Sequence, residues 1–158
     1  HLDAMTGCIV RHDGLIEQII GDAIVAVFYD TPLMTGAESA LKAAIEMVRR
    51  HRTVQQERQS ISTFTYEMGI GIDSGPILTG TISSAGRLEQ TILGKTRKRA
   101  ETLETLSKTG SRTRIILSST VLQVVSHAGI VIPCIPLGSE EGHELTDLTI
   151  PGSPEVQN

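Results

Sequence analysis

At 158 residues, 39% hydrophobic and 20% charged, the chain suits one globular domain with a substantial core and leaves no room for a second. A net charge of -4 and only four aromatic residues, Phe28, Tyr29, Phe64 and Tyr66, argue against a stacking platform for nucleic acid. No apolar run approaches the roughly 20 residues of a membrane-spanning helix, and the N-terminus lacks a signal-peptide pattern, so no membrane contact is expected from this segment. Cys8 and Cys134 lie far apart without metal-ligand spacing and read as free thiols of a reducing, cytoplasmic compartment. The chain begins at His1, without an initiator Met and inside an apparent helix, so a preceding segment is expected.

In chain order, Leu2, Met5, Ile9 and Val10 recur at helical spacing until Asp13-Gly14 stops them. Leu15 to Ile20 and Ala23 to Tyr29 are β-prone runs joined by Gly21-Asp22, a two-residue connection that fits a tight hairpin. Ala37, Ala40, Leu41, Ala44, Met47 and Val48 form one stripe of a long amphipathic helix that fades into the polar stretch Arg49 to Ser60. Strands are predicted over 65–73, 76–82 and 90–93, then a helix over 96–107 that Gly110 stops. A strand over 113–117, a helix over 119–126 and strands over 130–137 and 144–150 complete the domain, 1–150, before a polar tail over 151–158. Two hairpins among mixed elements favour an α+β sandwich, with helices on one side of a largely antiparallel sheet, over a parallel doubly wound sheet.

Three motifs go further. The segment His12-Asp-Gly-Leu-Ile-Glu-Gln-Ile-Ile-Gly-Asp-Ala-Ile-Val-Ala-Val-Phe28 resembles the metal-site hairpin of class III nucleotide cyclases, the adenylate and guanylate cyclases. Met68-Gly-Ile-Gly-Ile-Asp-Ser-Gly-Pro-Ile-Leu-Thr-Gly80 is similar to the family's Gly-Ile-His-Thr-Gly-Pro strand and turn. Arg87-Leu-Glu-Gln-Thr-Ile-Leu-Gly-Lys-Thr-Arg-Lys-Arg-Ala-Glu-Thr-Leu-Glu104 is similar to the stretch that leads into the family's transition-state helix. The three occur in family order and cover about 90 residues; such an ordered set is far more specific than any one of them.

The resemblance implies a ferredoxin-like cyclase fold and sites shared between two paired domains, in a homodimer or in a heterodimer with another cyclase domain. It implies a purine nucleoside triphosphate as ligand, and two Mg or Mn ions in an active member, held by paired carboxylates because one carboxylate cannot compensate two hard cations. Asp22 matches one metal aspartate; the second belongs on a strand upstream of His1, one that normally lies centrally in the sheet. Gln18 and Thr91 stand where the family reads the base, three residues before Gly21 and Gly94 respectively.

The departures are as informative. Lys95 replaces an Asp or Asn, Lys98 stands at the position of the ribose-orienting Asn, and Thr102 at that of the Arg that stabilises the reacting phosphate. An Arg offers phosphate a bidentate charged fork and Thr a single hydroxyl, so charge and geometry are lost together. The late loop, where the family supplies a phosphate-binding Lys, reads Leu137-Gly-Ser-Glu-Glu-Gly-His-Glu144, and acids there are expected to repel triphosphate. Lys95, Arg97, Lys98 and Arg99 cluster at a predicted helix N-terminus, the one anion-binding candidate; a solvated basic face is the alternative. His1, His12, His51, His127 and His143 have no ligand spacing. Two functions are thereby expected: a cyclase homology domain that dimerises or regulates without efficient turnover, and, as the alternative, an active cyclase.

Overall fold

The computed structural model describes residues 2–60, 65–84, 86–138 and 142–149. His1, Phe64, positions 139–141 of the late loop, Ile150 and the tail over 151–158 lie outside the described residues. The order of elements is α1 (Leu2–Arg11), β1 (Leu15–Ile20), β2 (Ala23–Val27), α2 (Gly36–Ser60), β3 (Ile70–Ile72), β4 (Leu78–Ser84), β5 (Arg87–Leu93), α3 (Lys95–Leu106), a 3-10 turn (Ser107–Thr109), β6 (Ile115–Ser118), α4 (Ser119–His127), β7 (Cys134–Leu137) and β8 (Gly142–Leu145). Asp13, at φ 60, takes the left-handed conformation in the turn after α1, and Ser118 caps α4 by accepting from the Val121 amide at 3.2 Å.

The strands form three separate ladders among the described residues: β1-β2, β4-β5, and the four-stranded sheet β3-β6-β8-β7. Only β3-β6 pairs in parallel, and the rest of that sheet and both hairpins are antiparallel. The mixed α+β class and its largely antiparallel pairing agree with the sequence. The strands are shorter than the β-prone runs, however. Only Ile70–Ile72 of the 65–73 stretch joins a ladder, and β7 begins at Cys134 because Ile130 to Pro133 runs outside the ladder.

Nor do the helices lie on one side. All four β6 residues are buried, and alternate side chains go opposite ways. Ile115 and Leu117 join Leu41, Ala44, Ile45 and Val48 of α2 and Val121 and Val125 of α4 in one apolar cluster. On the opposite face α3 approaches so closely that a Cβ at Gly71 would run into the Ala100 carbonyl and the Glu104 amide, and Leu103, 1% exposed, closes the contact. The sheet is therefore covered on both faces. Each fully buried Leu or Ile stabilises the packing by about 1.5–3 kcal/mol relative to an exposed one, an upper bound in absolute terms.

Between β6 and β7, β8 turns Glu144 fully inward. Its carboxylate accepts from the Ser111 amide on one oxygen at 3.1 Å, and from the Arg112, Thr113 and Arg114 amides on the other at 2.8, 3.1 and 3.0 Å. The carboxylate holds the 111–114 turn, in which Arg114 is left-handed at φ 59, so Glu144 does not belong to the exposed acids expected to repel a triphosphate.

The first helix is tied to the second by charge: Arg11 and His12 both reach Glu46, His12 through a 2.9 Å contact. Cys8 and Cys134 are free, and burial pushes the Cys134 thiol up to about 11. At pH 8 the thiolate fraction there is on the order of 0.001, so alkylation of Cys134 in the native protein should run about 100-fold slower than after denaturation, as labelling followed by mass spectrometry would measure.

Candidate functional site

Gly21, at φ +61, makes the turn between β1 and β2, and Asp22 follows it, exposed at the hairpin tip. The hairpin is irregular where it matters. Ile16 pairs with Ala26 and Gln18 with Val25, which leaves Glu17 as an extra residue, a β-bulge, on β1. Bulges re-aim side chains, and here Glu17 lines a recess of ≈ 270 Å³ with Tyr29, Thr79, Gly80, Thr81 and Thr91.

Thr91 lies on β5 opposite Gly80, whose missing side chain leaves open space at that position. No described residue hydrogen-bonds or pairs with the Glu17 carboxylate or with the hydroxyls of Thr79, Thr81 and Thr91; by register Thr91 shares a face of the β4-β5 hairpin with Gly80, and Thr79 and Thr81 lie on the other.

Arg97 joins the parts. Its Nη2 donates to the Gln18 side-chain oxygen at 3.0 Å, its Nη1 to the Ile92 carbonyl at 2.9 Å and its Nε to Glu101 at 3.0 Å. The first turn of α3 is thereby fastened to β1 and to the end of β5. A second tie runs from the Thr96 hydroxyl to the Pro76 carbonyl at 2.9 Å. Arg97→Met removes three charge-assisted or carbonyl bonds from a side chain only 20% exposed, and thermal denaturation should record a loss of about 1–3 kcal/mol.

The sequence candidates thus fall into two groups. Gln18, Thr91 and Arg97 gather where β1 meets β5. Lys95 and Lys98 are exposed along α3, Arg99 is half-buried, and Thr102 is exposed with its hydroxyl turned back onto the Lys98 carbonyl of its own helix at 3.0 Å. Arg97, grouped by sequence with the anion binders, has its guanidinium occupied by protein. Glu17, Tyr29, Thr79 and Thr81 were missed, because a strict two-residue alternation sends Glu17 away from its neighbours and nothing but the bulge brings it back.

For divalent cations the fit within one chain is incomplete. Asp22 supplies a single carboxylate, and among the described residues no group of three His, Cys, Asp or Glu side chains converges. A two-cation centre needs carboxylates beyond these.

Fold and motif order converge with direct comparison. The Adenylate and Guanylate cyclase catalytic domain family matches residues 4–136, and the chain belongs to it. It is 33% identical over 115 residues to the terminal-differentiation specific adenylate cyclase of Dictyostelium discoideum, covering 71% of this chain and 5% of the relative. It is 29% identical over 110 residues to an adenylate cyclase of Anabaena cylindrica, covering 68% and 22%. The chain thus spans under a quarter of the length of these curated relatives. Among solved structures, the guanylyl cyclase Cya2 superposes with a TM-score of 0.68 at 26% identity over 99% of this chain and 79% of that one. A bacterial light-regulated adenylyl cyclase gives 0.70 at 18% identity over 90% and 72%, a likeness of fold alone. Among the described residues no helix is long and apolar enough to cross a membrane.

Proposed function

We propose that this domain binds a purine nucleoside triphosphate and works in cyclic-nucleotide signalling as a dimerising or regulatory module with little turnover of its own, in the cytoplasm. The observation that carries the reading is at α3. Lys98 and Thr102 occupy positions where, by the family resemblance, an Asn orients ribose and an Arg neutralises the reacting phosphate. The Thr102 hydroxyl is bonded to the helix backbone and offers no charge. Removal of one preorganised group of this kind costs about 100- to 1000-fold in rate.

Purified chain incubated at high concentration with Mn and either ATP or GTP should give no cyclic nucleotide above background. Cyclic AMP or cyclic GMP at an ordinary enzymatic rate, on the order of 1 per second or faster, overturns the reading. Pairing with a second domain is part of the proposal: sedimentation should find a homodimer, or a heterodimer when another cyclase domain is supplied.

The alternative, an active cyclase, is favoured by the recess, where Thr91 remains open to a ligand beside β1. In that reading a protein longer than these 158 residues, assembled with a complementary domain, forms cyclic nucleotide with Mg or Mn. Assay of the full-length product separates the two.

A further inference from the structure

We propose a second ligand site, one that shares no residue with the recess: the cavity between the C-terminal half of α2 and the 111–114 turn takes a small oxyanion that also carries a hydrogen-bond donor. Nothing in it depends on the nucleotide reading above.

The cavity, ≈ 460 Å³, has the size of a small-molecule site, and its charge runs against that of the chain. Arg52, Arg112 and Arg114 line it against one carboxylate, Glu67, in a protein of net charge -4. Glu67 is already taken by Arg114. Burial lowers the pKa of His51, which also lines the cavity, so that ring adds no charge at neutral pH. The excess positive charge therefore lies on Arg52 and Arg112.

Both are held in place. Arg52 Nη2 donates to the Arg112 carbonyl at 3.1 Å, which fastens α2 to the turn, and the Arg112 amide is in turn bonded to Glu144 at 2.8 Å. The remaining donors of Arg52 and the whole Arg112 guanidinium meet no described residue. Planar guanidinium forks of this kind suit the oxygens of a phosphate or carboxylate. Gln55, on the same cavity, calls for the donor. Its Nε2 donates to the Tyr66 carbonyl at 2.6 Å, while Oε1 is buried and accepts from no described group. A buried acceptor left alone is costly, and an O–H on the ligand would satisfy it.

The test is titration of the isotope-labelled 158-residue chain with sodium phosphate, sulfate or chloride at matched ionic strength, followed by amide chemical shifts. Phosphate should move the amides of Arg52 to Gln56 and of Ser111 to Arg114 to saturation. It should bind about 3- to 10-fold more tightly than sulfate, because phosphate keeps an O–H at neutral pH and sulfate has none. Arg112→Met should weaken phosphate binding about 10- to 100-fold, the worth of charge-assisted bonds, without lowering the melting temperature, since that side chain has no described partner. Lys108→Met removes the same charge from an exposed residue outside the cavity and should change binding less than about 2-fold. Shifts equal in chloride, binding that survives Arg112→Met, or an equal loss in Lys108→Met overturns the site. Sulfate binding as tightly as phosphate overturns the donor and the part given to Gln55.

Discussion

Replacing Glu144 with Ala should destabilise the domain by about 4 kcal/mol or more, enough to leave much of it unfolded at 37 °C. The substitution strands the amides of residues 111–114, which now converge on one carboxylate, and each buried unsatisfied donor costs about 1–3 kcal/mol. Glu144→Gln should cost less, about 2–3 kcal/mol: one oxygen still accepts, but the amide group sets its own N–H against a backbone donor. Urea denaturation of the two variants beside the parent measures both.

The same carboxylate sets an acid limit. Burial pushes its pKa up, but the four amide bonds more than offset that and hold it below the usual carboxylate range. Its stabilisation is therefore fully present above about pH 4.3, the ordinary value of an unfolded Glu, and fades as pH falls through the lower folded value. Parent stability should drop across that interval, and the Glu144→Gln variant should lack this component of the drop. Equal acid dependence in the two would mean that the nest is not a significant source of stability.

Gly71→Ala should be the second large effect, a loss of about 3 kcal/mol read from the thermal midpoint. Its Cβ meets backbone of α3 at Ala100 and Glu104, and backbone cannot swing aside as a flexible side chain would. Relief requires α3 to back away from β3, which would carry Arg97 off Gln18. A control at Gly80, where an added Cβ meets nothing within 4 Å, should cost under about 1 kcal/mol. If the two substitutions cost the same, the close approach of α3 is not what defines this layer.

Much of this architecture was legible because local and long-range signals agreed. The stripe from Ala37 to Val48, the Gly21-Asp22 turn and the three ordered motifs each needed only neighbours in sequence, and family and fold followed from them. What escaped depended on tertiary partners. The β-prone stretch before Ile70 joins no ladder, since β6 offers its parallel edge only to Ile70–Ile72. Pro133 and Pro136 carry no amide hydrogen, which helps to confine β7 to a short edge. Glu144 reads as one more surface acid until the amides of a turn 30 to 33 residues earlier are seen to surround it. Arg97 reads as one of four cations on a helix start, and its reach to Gln18, 79 residues away in sequence, has no local signature.

The division of the strands into unconnected ladders gives the molecule uneven cooperativity. A lone pair of strands is at best marginally stable in water, so the β1-β2 unit leans on α1 and on the Arg97 fork, while β6 at the heart of its own sheet is enclosed on both sides. Backbone amides of Ile19 to Val25 should accordingly exchange with deuterium through partial opening long before those of Ile115 to Leu117. A ligand that seats between the two hairpins would slow the former and leave the latter untouched, so occupancy would be recorded as stiffness at one end of the protein.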